Sequence, residues 1–328
     1  MNNQYPESVF SIKNETEFLE LALTHFRFQY EANEIYGKFC RLMKVQLEQI
    51  NCLEKIPFLP IELFKSNKIV SGLTTPERIF TSSGTSGQIP SQHYVHDLKL
   101  YKKSFLTGFE LCYGKPDSYC FLCLLPSYLE RKGSSLVYMA ETLVQESRHP
   151  HSGFFLHDLH AIAEKIHQLK TAEQKTILLG VTYALLDLAD YGVELNDSII
   201  VMETGGMKGK REEWPKQRVH EYLKEKFKIK TIHSEYGMTE MLSQAYSTGE
   251  GFYACPPWLK IMIRDPYSPG EFRPYNKTGG INVIDLANYY SCSFIATQDA
   301  GRKKNKNEFE VLGRLNDAEL RGCNLMLD

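Results

Sequence analysis

The chain of 328 residues is long enough for one large domain, or two smaller ones, around a sizeable core. An apolar content of 42%, a charged content of 24% and a formal net charge of -2 exclude the strong positive field that nucleic acid or an anionic membrane surface would require. No apolar run approaches the roughly 18 residues needed to span a bilayer. Met1 to Asn14 has neither an apolar centre nor a basic start, and the eight scattered cysteines read as reduced thiols, so a cytoplasmic protein is expected.

From Glu15 to about Glu48 the apolar residues, among them Phe18, Phe26 and Tyr30, recur at helical spacing, with Asn14 or Thr16 available as a cap. Pro57 and Pro60 then interrupt the pattern. Arg78-Ile79-Phe80 is strand-like and runs into the loop Thr81–Gly87. The continuous apolar run Tyr119–Leu125 reads as a buried parallel strand. Helical and strand patterns then alternate: Ser134–Gln145, Gly153–Leu156, His157–Leu169, Thr176–Gly180, Tyr183–Tyr191, Ser198–Met202 and Arg211–Phe227, before Lys230–His233 leads into Ser234–Glu240. This alternation predicts a mostly parallel α/β sheet with crossover helices.

After Gly249 the short strands Leu259–Arg264, Gly280–Asp285 and Phe309–Leu312 lie between Gly/Pro turns and predict a smaller antiparallel part. The basic run Arg302–Lys306 reads as a solvated turn. The expected organisation is one core: a helical region at 1–75, an α/β region at 76–248, and a β-rich part with the tail at 249–328.

Thr81, Ser82, Ser83, Gly84, Thr85, Ser86 and Gly87 place two glycines among five hydroxyl side chains. Glycine lets the backbone approach a ligand closely, and backbone N–H groups with hydroxyls can then surround an anion such as polyphosphate. Taken alone the loop is equally well a surface turn. It is neither a Walker A sequence nor a nucleophile elbow, because Gly-Lys-Ser/Thr and Gly-x-Ser-x-Gly are both absent. Tyr236-Gly237-Met238-Thr239-Glu240 offers a ring for a base, a hydroxyl for phosphate and a carboxylate for Mg2+. Thr297-Gln298-Asp299 offers a carboxylate for ribose hydroxyls, and Gly313-Arg314 a guanidinium for ribose or phosphate oxygens.

The order of these motifs resembles the adenylate-forming superfamily of acyl- and aryl-CoA ligases and nonribosomal adenylation domains. Within it the chain looks most like the LuxE-like acyl-protein synthetases. The resemblance implies the large domain of that superfamily, an α/β fold with a mostly parallel sheet flanked by helices plus a smaller β-rich subdomain. By position, it implies that Ser82 to Gly87 cradle the ATP phosphates and that Gly205 and Gly206, in Glu203-Thr-Gly-Gly206, line the adenine and acyl pocket. Tyr236 would stack on adenine, Thr239 touch phosphate, Glu240 bind Mg2+, and Asp299 hold the ribose with Arg314 nearby. The reaction implied is carboxylate attack on the α-phosphorus of ATP.

Three features depart from the pattern. Gln88–Gln92 contains no Lys where these ligases carry one after the phosphate loop, and Gln298 replaces the usual Gly before Asp299. The chain ends at Asp328, where CoA ligases continue into a mobile domain bearing a catalytic Lys, so a core lacking that domain is expected. Phosphate charge would then be met by Lys208, Lys210 or a partner protein.

LuxE-like synthetases are acylated on a cysteine near the C-terminus, which makes Cys323 the candidate acceptor, with Arg321 positioned to favour its thiolate. Its alternative is a small apolar residue of a terminal strand. Cys120-Phe-Leu-Cys123 reads as part of a buried strand, and His149, His151, His157 and His160 as turn and helix residues rather than a metal site. His233 is expected to end a strand at the active-site edge, where it either orients the acyl carboxylate or packs structurally. The partners expected are a carboxylic acid, with an acyl carrier, reductase or acyltransferase. Two other readings are kept: a non-catalytic nucleotide- or acyl-binding subunit of such a complex, and an aryl-acid adenylating enzyme.

Overall fold

The computed structural model describes residues 6–72, 75–83, 89–126, 133–155, 158–206, 210–212 and 214–315. The N-terminal region is helical, but the continuous helix expected from Glu15 is broken into α1 (Glu15–Ala32) and α2 (Glu34–Leu42). Asn33 causes the break. Its Oδ1 accepts from Tyr36 N at 2.9 Å and caps α2, while its Nδ2 donates to Ser71 Oγ and to the Ser291 carbonyl. A buried asparagine that satisfies these backbone groups competes successfully with a continuous helix. Gln29, also buried, donates to the carbonyls of Asn288 and Tyr289 and so docks α1 on the turn 286–293.

β1 (Leu59–Pro60) and α3 (Leu63–Ser66) lead to an antiparallel hairpin of β2 (Arg78–Thr81) and β3 (Gln92–Val95). α4 (Leu98–Tyr113) follows, capped by Asp97; it and β3 have no counterpart among the sequence-based expectations. β4 (Cys120–Leu124), α5 (Ser135–Ser147), β5 (Gly153–Phe154), α6 (Leu159–Thr171), β6 (Thr176–Val181), α7 (Thr182–Asp190), β7 (Ile199–Thr204) and α8 (Lys216–Phe227) realise the predicted alternation. α8 begins at Lys216 rather than Arg211, because Pro215 lacks an N–H and disfavours helical backbone at Trp214. β8 (His233–Tyr236), β9 (Ala245–Ser247), β10 (Phe252–Ala254), β11 (Leu259–Arg264), β12 (Gly279–Asp285), β13 (Phe294–Lys303) and β14 (Glu308–Arg314) complete the order.

β5, β4, β6, β7 and β8 are parallel neighbours in that order. β8 then pairs antiparallel with β9, and the sheet continues through β10, β14, β13, β12 and β11, with β1 added parallel to β13. Among the described residues the parallel and antiparallel parts are one continuous sheet of twelve strands. Every residue of β4 and β6 is buried, which is why both read as unbroken apolar runs. Side chains alternate across β7 and β8, so Glu203 and Ser234 face α7 and α8, while Thr204 and Glu235 face α4. No helix among the described residues is long and apolar enough to cross a membrane.

Candidate active site

The Ser/Thr/Gly loop is the connection of the β2–β3 hairpin, whose register pairs Thr81 with Gln92. Ser82 closes the neck: its N–H donates to the Ser91 carbonyl at 3.1 Å, and Ser91 N donates back to Ser82 Oγ at 2.9 Å. Thr81 N donates to the Gly133 carbonyl at 2.7 Å. A Cβ at Gly133 would lie 2.5 Å from Thr81 Oγ1, so a larger residue there would have to turn the Thr81 hydroxyl aside. Gly84, Thr85, Ser86 and Gly87 lie outside the described residues.

The hairpin is tethered to the 236–240 segment through His93. One ring nitrogen is 2.7 Å from the Thr239 carbonyl and the other 3.1 Å from Asn288 Oδ1. Burial lowers the His93 pKa to about 4, so the neutral ring has a single N–H to share between two acceptors. Asn288 in turn donates to the Glu240 carbonyl at 2.8 Å. Asp285 pins the following residues, accepting from Leu242 N, Ser243 N and Ser243 Oγ.

Tyr236 is the last residue of β8, at the carboxyl edge of the parallel strands. Its hydroxyl donates to Asp299 Oδ2 at 2.9 Å. Its ring is largely buried and packs edge-on against Tyr253 and Phe309. Asp299 is the register partner of Arg314, and its Oδ1 lies 3.3 Å from Arg314 Nη1. Glu240, also buried, bonds the Ser91 hydroxyl and feels both Arg314 and Asp299. Four stretches far apart in sequence thus supply one cluster: the hairpin neck, 236–240, Asp299 and Arg314.

Burial holds the carboxyls of both Glu240 and Asp299 above the ordinary carboxylate range. Their shared cation, Arg314, is mostly exposed. Arg264 acts on Asp299 as well. A buried and a half-buried carboxyl beside a mostly exposed guanidinium suit a divalent cation that completes its shell with phosphate oxygens, as Mg2+ does. Gln298 points away from this cluster and donates to Glu62 Oε1 at 2.6 Å, so the residue that replaces the usual Gly does not intrude. Arg264 supports the same strand through the Thr297 carbonyl at 2.6 Å.

Glu203, Gly205 and Gly206 close β7. The Thr182 hydroxyl lies 2.9 Å from Glu203 Oε2 and 3.2 Å from the Gly205 carbonyl, linking the buried carboxylate to the glycine turn. Gly205 has φ +75°, which suits glycine, and a Cβ at Gly206 would meet open space. A Cβ at Gly237 would lie 2.4 Å from Glu235 Oε1, so a larger residue there would displace the Glu235 carboxyl.

Glu235 itself accepts from the Thr204 hydroxyl, opposite Tyr246, whose buried hydroxyl has no partner among the described residues. Burial pushes the Glu235 pKa up to about 7, against the Thr204 bond. A raised carboxyl pKa means the folded state holds its proton longer than the unfolded chain does. Stability should therefore fall as pH rises between about 4.5 and about 7, by roughly 3 kcal/mol in all, and stay at the lower value above. Glu235→Gln removes that component. Urea unfolding across this range should show a flatter pH dependence for the variant and greater stability at pH 8; parallel curves would exclude Glu235 as its source.

Not every sequence-predicted residue joins the cluster. His233 begins β8 rather than ending it, about 10 Å along the strand from Tyr236. Its Nδ1 lies 3.1 Å from the Tyr113 hydroxyl on α4. Cys323, Arg321 and Lys208 lie outside the described residues. Cys120 and Cys123 are buried in β4, and Ser152 Oγ donates to Cys120 Sγ at 3.8 Å. No group of three or more His, Cys, Asp or Glu suited to a metal forms among the described residues. The sequence reading missed Ser91, His93, Asn288, Arg264 and Lys216. Only the short run Gln92–Val95 after Pro90 carried a local signal, that of a strand mirroring β2.

The fold is similar to 2-hydroxyisobutyryl-CoA ligase in an open conformation with 2-HIB-AMP and CoA (TM-score 0.66, 13% identity, 92% of this chain and 70% of that one). It is also similar to ATP-bound MatB from Rhodopseudomonas palustris (TM-score 0.53, 19% identity, 72% and 47%). A third likeness is to O-succinylbenzoate coenzyme A synthetase from Bacillus subtilis with ATP and magnesium (TM-score 0.51, 19% identity, 72% and 49%). At these identities the likenesses show the fold. The family model described as acyl-protein synthetase, LuxE, matches residues 9–328, and the chain belongs to that family of ATP-dependent, acyl-adenylate-forming ligases. No curated protein matches the chain significantly.

Proposed function

We propose that this ligase uses ATP and Mg2+ to activate a carboxylic acid and passes the acyl group to a protein thiol, with Cys323 the acceptor. The observation that carries the reading is the convergence of Glu240, Asp299, Arg314 and Tyr236 beside the β2–β3 hairpin. In the first step a carboxylate oxygen attacks the α-phosphorus, the bond to the bridging β-phosphate oxygen breaks, and pyrophosphate leaves. In the second a thiolate attacks the acyl carbon and AMP leaves with the electron pair of the C–O bond.

The chain's own residues position and neutralise. Ser82 to Gly87 would donate hydroxyl groups, and the N–H groups beyond Ser82, to phosphate. Asp299 accepts from ribose hydroxyls, oriented by the Tyr236 hydroxyl, and Arg314 pairs with ribose or phosphate oxygens. Gly205 and Gly206 leave room for adenine and the acyl group. Glu240, with Asp299 nearby, would hold Mg2+, which when bound neutralises phosphate charge.

Intact-mass measurement after incubation with Mg-ATP and a panel of carboxylic acids tests both steps. An acyl adduct is expected on the native chain and not on Cys323→Ser, while acid-dependent pyrophosphate release persists in the variant. No release with any acid would sink the activation step. An adduct that survives Cys323→Ser would place the acceptor elsewhere.

A further inference from the structure

We propose that a cleft away from the candidate active site, between residues 12–18 and the surface of β11, β13 and β14, binds a small ligand with an oxyanion head and an apolar body. Its volume is about 170 Å³, and none of its lining residues belongs to the Glu240–Asp299–Arg314 cluster. A water molecule occupies about 30 Å³ of the liquid, so the cleft has room for a phosphate-sized head and a short chain.

Lys13, Lys260, Lys303 and Lys306 line the cleft against Glu15 and Glu308, and the basic run that read as a solvated turn supplies two of those four lysines. Lys303 and Lys306 line the cleft with Lys260 from β11. Glu15 serves two of the three: it bonds Lys260, and its other oxygen is 3.3 Å from Lys306. Lys303 has no carboxylate within ion-pair distance among the described residues. Burial lowers its pKa, and repulsion from Lys260 and Lys306 adds to that, while Cys255 and Glu15 act the other way. Lys303 is half-buried, with the Tyr275 ring 5.7 Å from its Nζ, and an ammonium crowded by two like charges gains from a counter-ion. An oxyanion would supply that counter-ion through charge-assisted hydrogen bonds. Phe18, with Lys260 Nζ 4.4 Å over its ring, and Phe309 present apolar walls to the rest of the ligand.

Titration calorimetry of the full chain at low salt, with n-butyl phosphate and separately with butyrate, tests this. Saturable binding of at least one ligand is expected, weakened roughly tenfold in Lys303→Met and kept in Lys303→Arg, since one charge-assisted contact is removed or retained. A Lys303-dependent response to the phosphate ester alone assigns a phosphoryl head, and to both assigns any oxyanion. Lys306→Met, at an exposed position, should weaken the same binding and serves if Lys303→Met fails to fold. No binding by the native chain, or isotherms unchanged in both variants, would overturn the proposal.

Discussion

Glu240→Gln should lower acid-dependent pyrophosphate release by roughly a hundred- to a thousandfold, the usual cost of removing a charge-stabilising group from a phosphoryl or acyl transfer site. The substitution keeps volume and keeps an oxygen for Ser91, so the fold should survive. What disappears is the buried carboxyl beside half-buried Asp299. Burial, reinforced by the negative charge of Asp299, holds the Glu240 proton on more tightly than in water, while Ser91 and Arg314 act the other way. A further cation would favour ionisation of Glu240 and Asp299 together, adding to what Arg314 and Arg264 supply. The variant should accordingly need more Mg2+ for half-maximal rate, and circular dichroism should be unchanged. A rate within threefold of the native chain, at the same Mg2+ requirement, would remove Glu240 from the metal site.

Lys216→Met should destabilise the protein at pH 8 by about 3–5 kcal/mol, because it strands a charge inside the sheet. Glu203 is buried at the end of β7. Lys216 Nζ lies 2.5 Å from its Oε1, the Ser234 hydroxyl donates to the same oxygen at 3.1 Å, and His220 Nε2 is 3.6 Å away. Burial alone would raise the Glu203 pKa; the Lys216 charge and the bonds from His220 and Lys216 outweigh it and hold the pKa near 2.

The sign follows. In the native chain this depressed pKa contributes stability that is complete above about 4.5, the unfolded value, and is lost as pH falls toward 2, about 3 kcal/mol in all. Without Lys216 the carboxyl instead prefers to be protonated, so the variant should become less stable as pH rises through the carboxylate range. Adding Glu203→Gln to Lys216→Met should recover most of the loss, since a neutral pair leaves no unpaired charge. Urea midpoints at pH 5 and pH 8 measure all three proteins. A loss below about 1 kcal/mol for Lys216→Met would mean that water reaches Glu203. The single variant should also slow acyl activation, because Glu203 orders Thr182 and, through it, the Gly205 turn.

Much of this was legible in the chain because it is local. The apolar runs of β4, β6 and β7 announced a parallel sheet, since strands covered on both faces have no polar side to alternate with. Glycine and side chains suited to phosphate and ribose stand as short motifs whose order can be read, and the family resemblance read from them is the family whose model matches residues 9–328. Helix breaks were harder. Asn33 has the side chain of a cap, but only its bonds to Ser71 and Ser291 explain why the helix stops there. Pro215 was in plain sight, yet periodicity alone ran α8 back past it.

What the sequence by itself determined, then, is the α/β class, the strand–helix order and the identity of the motif side chains, because periodicity and residue chemistry are properties of short segments. Only the tertiary structure decided which of those side chains meet. Asp299 finds Tyr236 and Arg314 through the register of β13 and β14 and the neighbouring strand ends. Glu203 finds Lys216 from a helix laid across its sheet, and Lys303 turns from a solvated turn into the wall of a cleft because residues 12–18 fold over it. Burial sets the protonation of Glu203, Glu235 and His93, and burial is a property of the packed chain.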